Sequence, residues 1–350
     1  MFQYTSMTDG IHTLNTKKLS GYLESTLSWF NGPLTAEKFS DGQSNPTFQI
    51  TASSGTYVLR KQPPGELLKS AHAVDREYRV MSALASTEVP VPEMYHLCED
   101  KDVVGSLFFL MEYIPGRTLW DCSLPEADKA ERTQVYDDVN RVLAALHQVD
   151  IERVGLNDFG RPGNYYARQL KRWTQQYRAS EFETIADMEW LITWLQENLP
   201  EDDGRVSLVH GDFRLDNLRC HTDRPKVVAV LDWELSTLGH PFADLANHCM
   251  QQRLPSGSGN LSGLAGTDLQ TLGIPDEKTF VRQYCERTGI EKIEHWNFYL
   301  SFSFFRLAAI LQGVAKRGQE GNASNEQALG LFKRVTPLSK MAKDIANESE

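Results

Sequence analysis

Two short apolar segments, each ending in a group of acidic and amide side chains, constrain the possible folds of this chain more than any other feature. Ser207–His210 and Val227–Leu231 are β-branched or apolar runs with the length of single strands. The first continues as HGDFRLDN (210–217), and the second ends in LDWE (231–234). Long segments with helical periodicity precede and follow both. The chain must therefore place two isolated strands, and its densest set of reactive side chains, inside a helical region.

These side chains are the ones that phosphoryl transfer from ATP requires. In that reaction one carboxylate orients the acceptor hydroxyl and takes its proton, while an amide oxygen and a second carboxylate hold the magnesium ions that bridge the phosphates. Asn217 follows Asp212 by five positions, which is the spacing of a kinase catalytic loop. Asp232 ends the second strand twenty residues after Asp212, where a second metal-binding carboxylate is needed.

The HGDFRLDN segment and the following LDWE resemble the aminoglycoside phosphotransferase and choline kinase family, a branch of the protein-kinase-like fold. They are most similar to the subgroup that also occurs as kinase-like domains fused to acyl-CoA dehydrogenases. The similarity runs from about Leu34 to the C-terminal helices. It implies that Asp212 is the catalytic carboxylate and that Asn217 and Asp232 bind Mg²⁺. It also implies that ATP or GTP is the phosphate donor.

Other charged residues near these motifs have more than one interpretation. Arg214 either contacts the transferred phosphate, as a lysine often does at this place in protein kinases, or lies in a solvated turn. Arg306, on an otherwise apolar helix, either binds an anionic group of the substrate or has a structural role beside a buried carboxylate. The resemblance implies structural roles for His210, which would brace the loop, and for Asp244, which would cap or brace the helical lobe.

The N-terminal third offers matching nucleotide-binding parts. Segment 40–46 joins two predicted strands and could cover the phosphates, with the Ser44 hydroxyl as one ligand, although a plain hairpin turn explains it equally well. Arg60 takes the position of the family's strand lysine, and Glu77 on the next helix is its predicted partner. Because neighbouring residues on a strand point to opposite faces, Arg60 and Lys61 cannot both face the nucleotide. We favour Arg60.

The segment that follows the apolar run 107–114 is expected to contact adenine. Backbone N–H and C=O groups make such contacts, so they leave almost no trace in the sequence. The resemblance alone therefore assigns Glu112 and Ile114 to nucleotide binding.

The sequence predicts an α+β fold of the two-lobed protein-kinase-like type. Residues 1–114 would form a small lobe with an antiparallel sheet and one helix. Residues 115–350 would form a large, mainly helical lobe with the catalytic loop and the substrate site, after a hinge at Pro115-Gly116. Strands are predicted at 34–40, 47–52, 56–62 and 107–114, and helices at 71–84, 125–149, 165–177, 183–198, 242–252, 278–288, 295–314 and 326–346. Segment 255–273 is predicted to be a loop.

Composition restricts the partners. A net charge of −11 disfavours a nucleic-acid binder, whose affinity comes largely from Lys and Arg. The N-terminus has neither a basic region nor an apolar run, so no signal peptide is expected. Phe298–Leu311 is expected to be too short and too polar to span a membrane. The five scattered cysteines contain no C-x-x-C pair and indicate reduced thiols in a cytoplasmic protein. The expected partner is a small molecule with a hydroxyl group; the sequence indicates no oligomeric state.

Several functions remain open. We favour a small-molecule kinase, and by analogy the acceptor would be a hydroxylated acyl compound or another small metabolite. An aminoglycoside kinase would need an acidic pocket, whereas the segments expected near the acceptor, 161–180 and 295–317, carry arginines. A metal-dependent phosphoesterase would need more histidine ligands. A catalytically silent ATP-binding module would be expected to lack the catalytic aspartate or the metal ligands.

Overall fold

The computed structural model describes residues 14–39, 45–63, 73–257, 262–319 and 326–349. The chain divides into two compact units. The first unit comprises Met1–Arg117 together with Val228–Leu235, and the second comprises Thr118–Val227 and Ser236–Glu350. Asp232 therefore belongs to the first unit, although more than a hundred residues of the second unit precede it in the sequence.

The first unit contains a five-stranded antiparallel sheet in the order β1-β2-β3-β5-β4. Two helices, α1 (Thr16–Thr26) and α2 (Val74–Leu84), and one short helix, α3 (Lys101–Val104), accompany it. The strands are β1 (Leu34–Lys38), β2 (Thr47–Ala52), β3 (Gly55–Lys61), β4 (Met94–Cys98) and β5 (Phe108–Glu112).

Alternation along β3 decides which side chains face each helix. Leu59 joins a buried cluster with Leu19 and Leu23 of α1, so this face of the sheet is the one that α1 covers. Arg60 points to the opposite face, where α2 packs against β5. The sheet therefore directs Arg60 toward α2 and Lys61 away from it.

The second unit is mainly helical. Helix α10 (Trp296–Gln319) is central because it packs against α5 (Tyr165–Ala179), α7 (Phe242–Arg253) and α11 (Val335–Ala346). Strands β7 (Ser207–Val209) and β10 (Thr237–Gly239) form an antiparallel pair. The remaining helices of the chain are α4 (Lys129–His147), α6 (Ala186–Glu197), α8 (Leu269–Leu272) and α9 (Glu277–Thr288). The remaining strands are β6 (Arg117–Thr118), β8 (Leu218–Cys220) and β9 (Val227–Val230), and 3₁₀ turns lie at Leu215–Asn217, Trp233–Leu235 and Glu326–Arg334.

Some predicted elements differ from those observed. Helix α1 and strand β4 were not anticipated, segment 255–273 includes the short helix α8, and the predicted helix 326–346 begins as a 3₁₀ turn. Helix α1 contains Gly21 and several Ser and Thr residues, which weaken its helical signal. The buried side chains Leu19 and Leu23 and the Asn15 cap, which accepts a hydrogen bond from the Lys18 N–H at 3.0 Å, stabilise it instead.

The expectation that the late apolar stretch is too short and too polar for a membrane was wrong. Within α10, Trp296–Gly318 is long and apolar enough to cross a membrane by length and composition alone, with a mean hydropathy of 1.4. The predicted stretch ends at Leu311, whereas the apolar helix continues for two more turns, to Gly318. Because 78% of the apolar window is buried inside the structure, neighbouring helices cover these side chains. The observations therefore fit a central core helix.

Candidate active site

The loop after β7 begins with a turn that only glycine adopts easily. Gly211 has a φ of +84°, in the left-handed region that a Cβ disfavours. The residues on the two sides of Gly211 are hydrogen-bonded to each other: the Asp212 N–H donates to Nδ1 of His210 over 3.2 Å. His210 is fully buried. The tight turn lets the chain leave the buried strand and places the Asp212 side chain at the surface, with 35% of it exposed.

Asp244, in the first turn of α7, anchors the backbone of this loop. Its carboxylate accepts hydrogen bonds from the N–H groups of His210 (2.6 Å) and Gly211 (2.8 Å), and it lies 3.3 Å from His147 Nε2. Burial alone would raise the pKa of Asp244, but the hydrogen bonds and the nearby histidines lower it below its ordinary value. The buried Asp244 carboxylate thus stays an acceptor and holds the backbone of the candidate catalytic loop in place.

Three amide contacts hold Asp212 itself. The 3₁₀ turn Leu215–Asn217 brings Asn217 back, so that its Nδ2 donates to the Asp212 carbonyl oxygen (2.8 Å) and to Oδ2 (3.2 Å). Nδ2 of Asn247, on α7, lies 3.4 Å from Asp212 Oδ1. Within the described residues no donor reaches Oδ1 of Asn217, which therefore remains able to bind a cation.

Arg214 lies between two carboxylates. Its Nη2 donates to Asp216 Oδ2, and its Nε lies 3.7 Å from Asp212 Oδ1. Burial alone would lower the pKa of Arg214, but Asp212 and Asp216 raise it. The guanidinium is therefore a charged neighbour of the candidate catalytic carboxylate, and its predicted contact with a phosphate stays a prediction.

In the first unit, Arg60 is the centre of a cluster of charged side chains. Its Nε lies 3.0 Å from Glu77 Oε2, and its Nη2 donates to Asp232 Oδ1 over 2.7 Å. Oε2 of Glu234 lies 3.9 Å from the same Nη2. Asn45, buried just after segment 40–44, donates from Nδ2 to Glu77 Oε1 over 3.0 Å. We call these residues, Arg60, Glu77, Asp232 and Glu234, the Arg60 cluster.

The cluster has three carboxylates for one guanidinium, and the pKa values reflect this imbalance. Burial, together with Asp232 and Glu234, raises the pKa of Glu77 to about 7 even though Arg60 opposes the rise. Burial alone would lower the pKa of Arg60, but the three carboxylates raise it. The cluster can therefore accept further positive charge.

Lys61, the neighbour of Arg60, makes a hydrogen bond in a different part of the first unit. Its side chain is buried, and Nζ donates to the Val104 carbonyl over 2.8 Å. Burial lowers the pKa of Lys61. Of these two cations, only Arg60 therefore lies against Glu77 and Asp232.

Asp232 adopts a backbone conformation that is costly for a non-glycine residue. Its φ is +65°, and such left-handed residues cost of order 1–3 kcal/mol and concentrate at functional sites. The next residue, Trp233, is buried and donates from Nε1 to the Val230 carbonyl over 2.9 Å. The turn after β9 is thus fixed by packing, and it presents the Asp232 carboxylate to Arg60.

Glu112, Ile114 and Ser44 are the other residues predicted to bind the nucleotide. Glu112 ends β5, and its backbone N–H donates to the Glu93 carbonyl over 2.8 Å. Ile114 follows the strand, and in the ranges listed above no hydrogen bond reaches its backbone. Ser44 lies outside the described residues. The predicted roles of all three stay predictions.

The structure brings the predicted residues together in two groups. Asp212, Asn217 and Arg214 form one, and Arg60, Glu77 and Asp232 form the other. Sequence reasoning missed Asn45 as a partner of Glu77 and Asn247 as a partner of Asp212. The position of Asn247, three residues after the family-matched Asp244 on the same helix, was the one available signal.

The fold and both groups define a class of protein. The antiparallel sheet with its helices and the helical second unit are those of the protein-kinase-like fold, which confirms the predicted fold class. A family model described as the phosphotransferase enzyme family matches residues 35–274, and the chain belongs to this family.

Relatives agree with this assignment. Mouse acyl-CoA dehydrogenase family member 10 is 47% identical over 331 residues, covering 94% of this chain and 31% of that protein. Human acyl-CoA dehydrogenase family member 11 is 39% identical over 343 residues, covering 97% of this chain and 44% of that protein. The chain thus spans less than half the length of these relatives.

Solved structures give the same fold. A crystal structure from Ralstonia eutropha JMP134, provisionally named an aminoglycoside phosphotransferase, is 48% identical with a TM-score of 0.88 and covers 97% of this chain and 100% of its own. A thermostable mutant of the aminoglycoside phosphotransferase APH(4)-Ia, in complex with ADP and hygromycin B, is 15% identical with a TM-score of 0.62. It covers 94% of this chain and 99% of its own, and it supports the fold alone.

Proposed function

We propose that this protein transfers the γ-phosphate of ATP to a hydroxyl group of a small molecule. The acceptor oxygen forms a bond to the γ-phosphorus, the bond between that phosphorus and the β–γ bridging oxygen breaks, and ADP leaves. The hydroxyl proton passes to Asp212. The observation that carries this proposal is the partly exposed Asp212 carboxylate, to which Asn217 and Asn247 each donate a hydrogen bond.

Asp212 has the position that a catalytic base needs. Its carboxylate is partly exposed, while amide donors fix its orientation and leave lone pairs for the acceptor hydroxyl. Asp244 fixes the backbone on which Asp212 depends. A general base of this kind typically contributes a factor of about 10²–10⁴ to the rate.

The residues present fit Mg²⁺ as the cofactor. Mg²⁺ prefers oxygen ligands, and Asn217 Oδ1 and the Asp232 carboxylate are of that kind. When bound, Mg²⁺ would neutralise charge on the phosphates. Arg60, oriented by Glu77, would bind the α- and β-phosphates as the strand lysine does in kinases. The same scheme applies to GTP.

The relatives bear on the acceptor. Acyl-CoA dehydrogenase family members 10 and 11 support a hydroxylated acyl compound or a similar small metabolite, because a kinase-like region in such a protein would act on related molecules. The Ralstonia eutropha structure, which is 48% identical and named for aminoglycoside phosphotransfer, supports an aminoglycoside as the alternative. A catalytically silent module is less favoured because Asp212, Asn217 and Asp232 are all retained.

Calorimetric titration with ATP and GTP, with and without MgCl₂, tests the proposal at its first step. We expect binding that depends on Mg²⁺ and transfer of phosphate to at least one alcohol in a panel, detected by mass spectrometry. Asp212→Asn should bind the nucleotide and transfer phosphate about 10²–10⁴-fold more slowly. Absence of nucleotide binding at millimolar concentration would show that the proposal is wrong.

A further inference from the structure

Three arginines on two helices that pack against each other have no carboxylate partner among the described residues. They are Arg168 and Arg172 on α5 and Arg306 on α10, which we call the arginine group. Other arginines of this acidic protein do form ion pairs, as shown by Arg60, Arg141, Arg178, Arg205, Arg214, Arg253, Arg282 and Arg287. Other arginines, such as Arg132 and Arg219, also lack a carboxylate partner in the described part of the chain. Position distinguishes the arginine group, because its two helices pack against each other and Arg306 contacts the candidate catalytic loop.

Arg306 joins this group to the catalytic loop. Its Nη2 donates to the carbonyl oxygen of Gly211, the residue before Asp212. Its guanidinium carbon lies 5.5 Å from the centroid of the Trp173 ring, and that of Arg172 lies 5.2 Å from the same ring. The contacts with Trp173 orient both guanidinium groups. Among the described residues, no acceptor reaches the other N–H donors of Arg306.

Arg168 lies on the same side of α5 as Arg172, one helical turn earlier. Its guanidinium donates to the carbonyl oxygens of Arg161 and Pro162, contacts that orient it without neutralising its charge. Burial raises the pKa of Tyr165 to about 12, and Arg306, Arg172 and Arg168 all oppose that rise. The three charges therefore act on one hydroxyl group, which supports their lying close together.

Repulsion among these charges is relieved if an anion binds. A guanidinium offers paired donors that match a carboxylate or a phosphate, and such charge-assisted hydrogen bonds are among the stronger ones. The same charges repel an amino sugar. We propose that Arg168, Arg172 and Arg306 bind a carboxylate or phosphate group of the molecule whose hydroxyl is phosphorylated. This inference rests on the proposed function, and it makes the acceptor an anion.

Binding without nucleotide tests the site directly. The probes are 3-hydroxybutyrate and 12-hydroxydodecanoate, compared with 1,3-butanediol and 1,12-dodecanediol, which replace the carboxylate with a neutral group. Glycerol 3-phosphate compared with glycerol tests the phosphate alternative. Thermal shift and calorimetry at constant ionic strength should show binding of at least one anion and at least tenfold weaker binding of its neutral counterpart. Equal binding within every pair would overturn the proposal.

Variants then separate the site from general charge effects. Arg172→Gln and Arg168→Gln should each lower the affinity for the anion about 10- to 100-fold, which corresponds to loss of a hydrogen bond to a charged group. Lys171→Gln removes the same charge from an adjacent, exposed position and should change binding less than threefold. Arg306→Lys keeps the charge and should retain more affinity than Arg306→Gln. Equal losses in Arg172→Gln and Lys171→Gln would contradict the proposal.

The two proposals can fail separately. If the anion binds and the arginine variants lose it, but no phosphate is transferred, the arginine group stands and the phosphotransferase proposal fails. If phosphate is transferred equally well to the diols, or to an aminoglycoside in preference to the hydroxy acids, the phosphotransferase stands and the anion site is wrong.

Discussion

The two groups of candidate residues hold their carboxylates in different ways. In the Arg60 cluster, three carboxylates share one guanidinium and are partly or fully buried. In the candidate catalytic loop, neutral amide donors from Asn217 and Asn247 hold Asp212. The cluster therefore depends on the balance of charge, whereas the loop depends on geometry.

This difference predicts different responses to substitution. A cluster with excess negative charge should respond to pH and to added cations. A loop held by amide hydrogen bonds, with its backbone anchored by Asp244, should keep its shape when the Asp212 charge is removed. The predictions below test this contrast, from the largest expected effect to the smallest.

Removal of the Asp212 charge should have the largest effect. With an acceptor identified, Asp212→Asn should lower kcat about 10²–10⁴-fold, because the amide cannot take the hydroxyl proton. Thermal unfolding should change little, since the new amide oxygen can still accept from one of the two asparagines and Asn217 Nδ2 still donates to the backbone carbonyl of residue 212. Asp223→Asn, in the exposed turn that follows β8, is the matched control and should retain activity. Near-normal turnover in Asp212→Asn would refute the assigned role.

The Arg60 cluster should make stability depend on pH through Glu77. Its pKa is about 7 in the folded protein, compared with an ordinary 4.5, so the folded state binds a proton more tightly than the unfolded state. The free energy of unfolding should therefore fall as pH rises from 4.5 to 7, by about 2–3 kcal/mol from this group.

Glu77→Gln should remove that part of the pH dependence. The amide keeps the size of the side chain and cannot titrate. Chemical denaturation of both proteins between pH 5 and pH 7.5, without nucleotide, measures the difference. Parallel pH profiles for the wild type and the variant would contradict the raised pKa of Glu77.

Substitution of the neighbouring cations should separate nucleotide binding from folding. Arg60→Met should weaken nucleotide binding about tenfold or more, because it removes the guanidinium that is proposed to bind the α- and β-phosphates. Lys61→Met should bind nucleotide normally but unfold more easily, because the hydrogen bond to the Val104 carbonyl is lost. Calorimetry and thermal unfolding of both variants measure the two effects. The reverse order would show that the nucleotide lies on the Lys61 face of the sheet.

Loss of one amide donor should have the smallest effect. Asn247→Ala removes one long hydrogen bond to Asp212 and should lower kcat about three- to tenfold with little change in the KM for ATP. A change confined to the KM for ATP would mean that Asn247 does not act through Asp212.

The sequence could predict what depends on local pattern. The catalytic spacing of Asp212 and Asn217, the fold class and strand β2 follow from motif and periodicity. The alternation of β3 also predicts that Arg60 and Lys61 face opposite sides. The contacts made by Asn45 and Asn247 could not be predicted, because each joins residues more than thirty positions apart in the chain.

The sequence also could not predict which charged side chains lie next to one another in the fold. Whether Arg306 has a carboxylate partner depends on how α10 packs, and the structure shows that it donates to a backbone carbonyl. The raised pKa of Glu77 depends on burial and on two carboxylates that lie more than 150 residues further along the chain. Neither burial nor such proximity has a local signal in the sequence.

Paired magnesium titrations of two variants test the central claim, that Asp212 takes a proton while Asp232 binds Mg²⁺. Nucleotide binding is measured by calorimetry at increasing MgCl₂ for the wild type, Asp212→Asn and Asp232→Asn. The Asp212 variant should match the wild type in both affinity and magnesium requirement. The Asp232 variant should need several-fold more Mg²⁺ and bind nucleotide more weakly. Identical profiles for the two variants, or an increased magnesium requirement in Asp212→Asn alone, would contradict this division of roles.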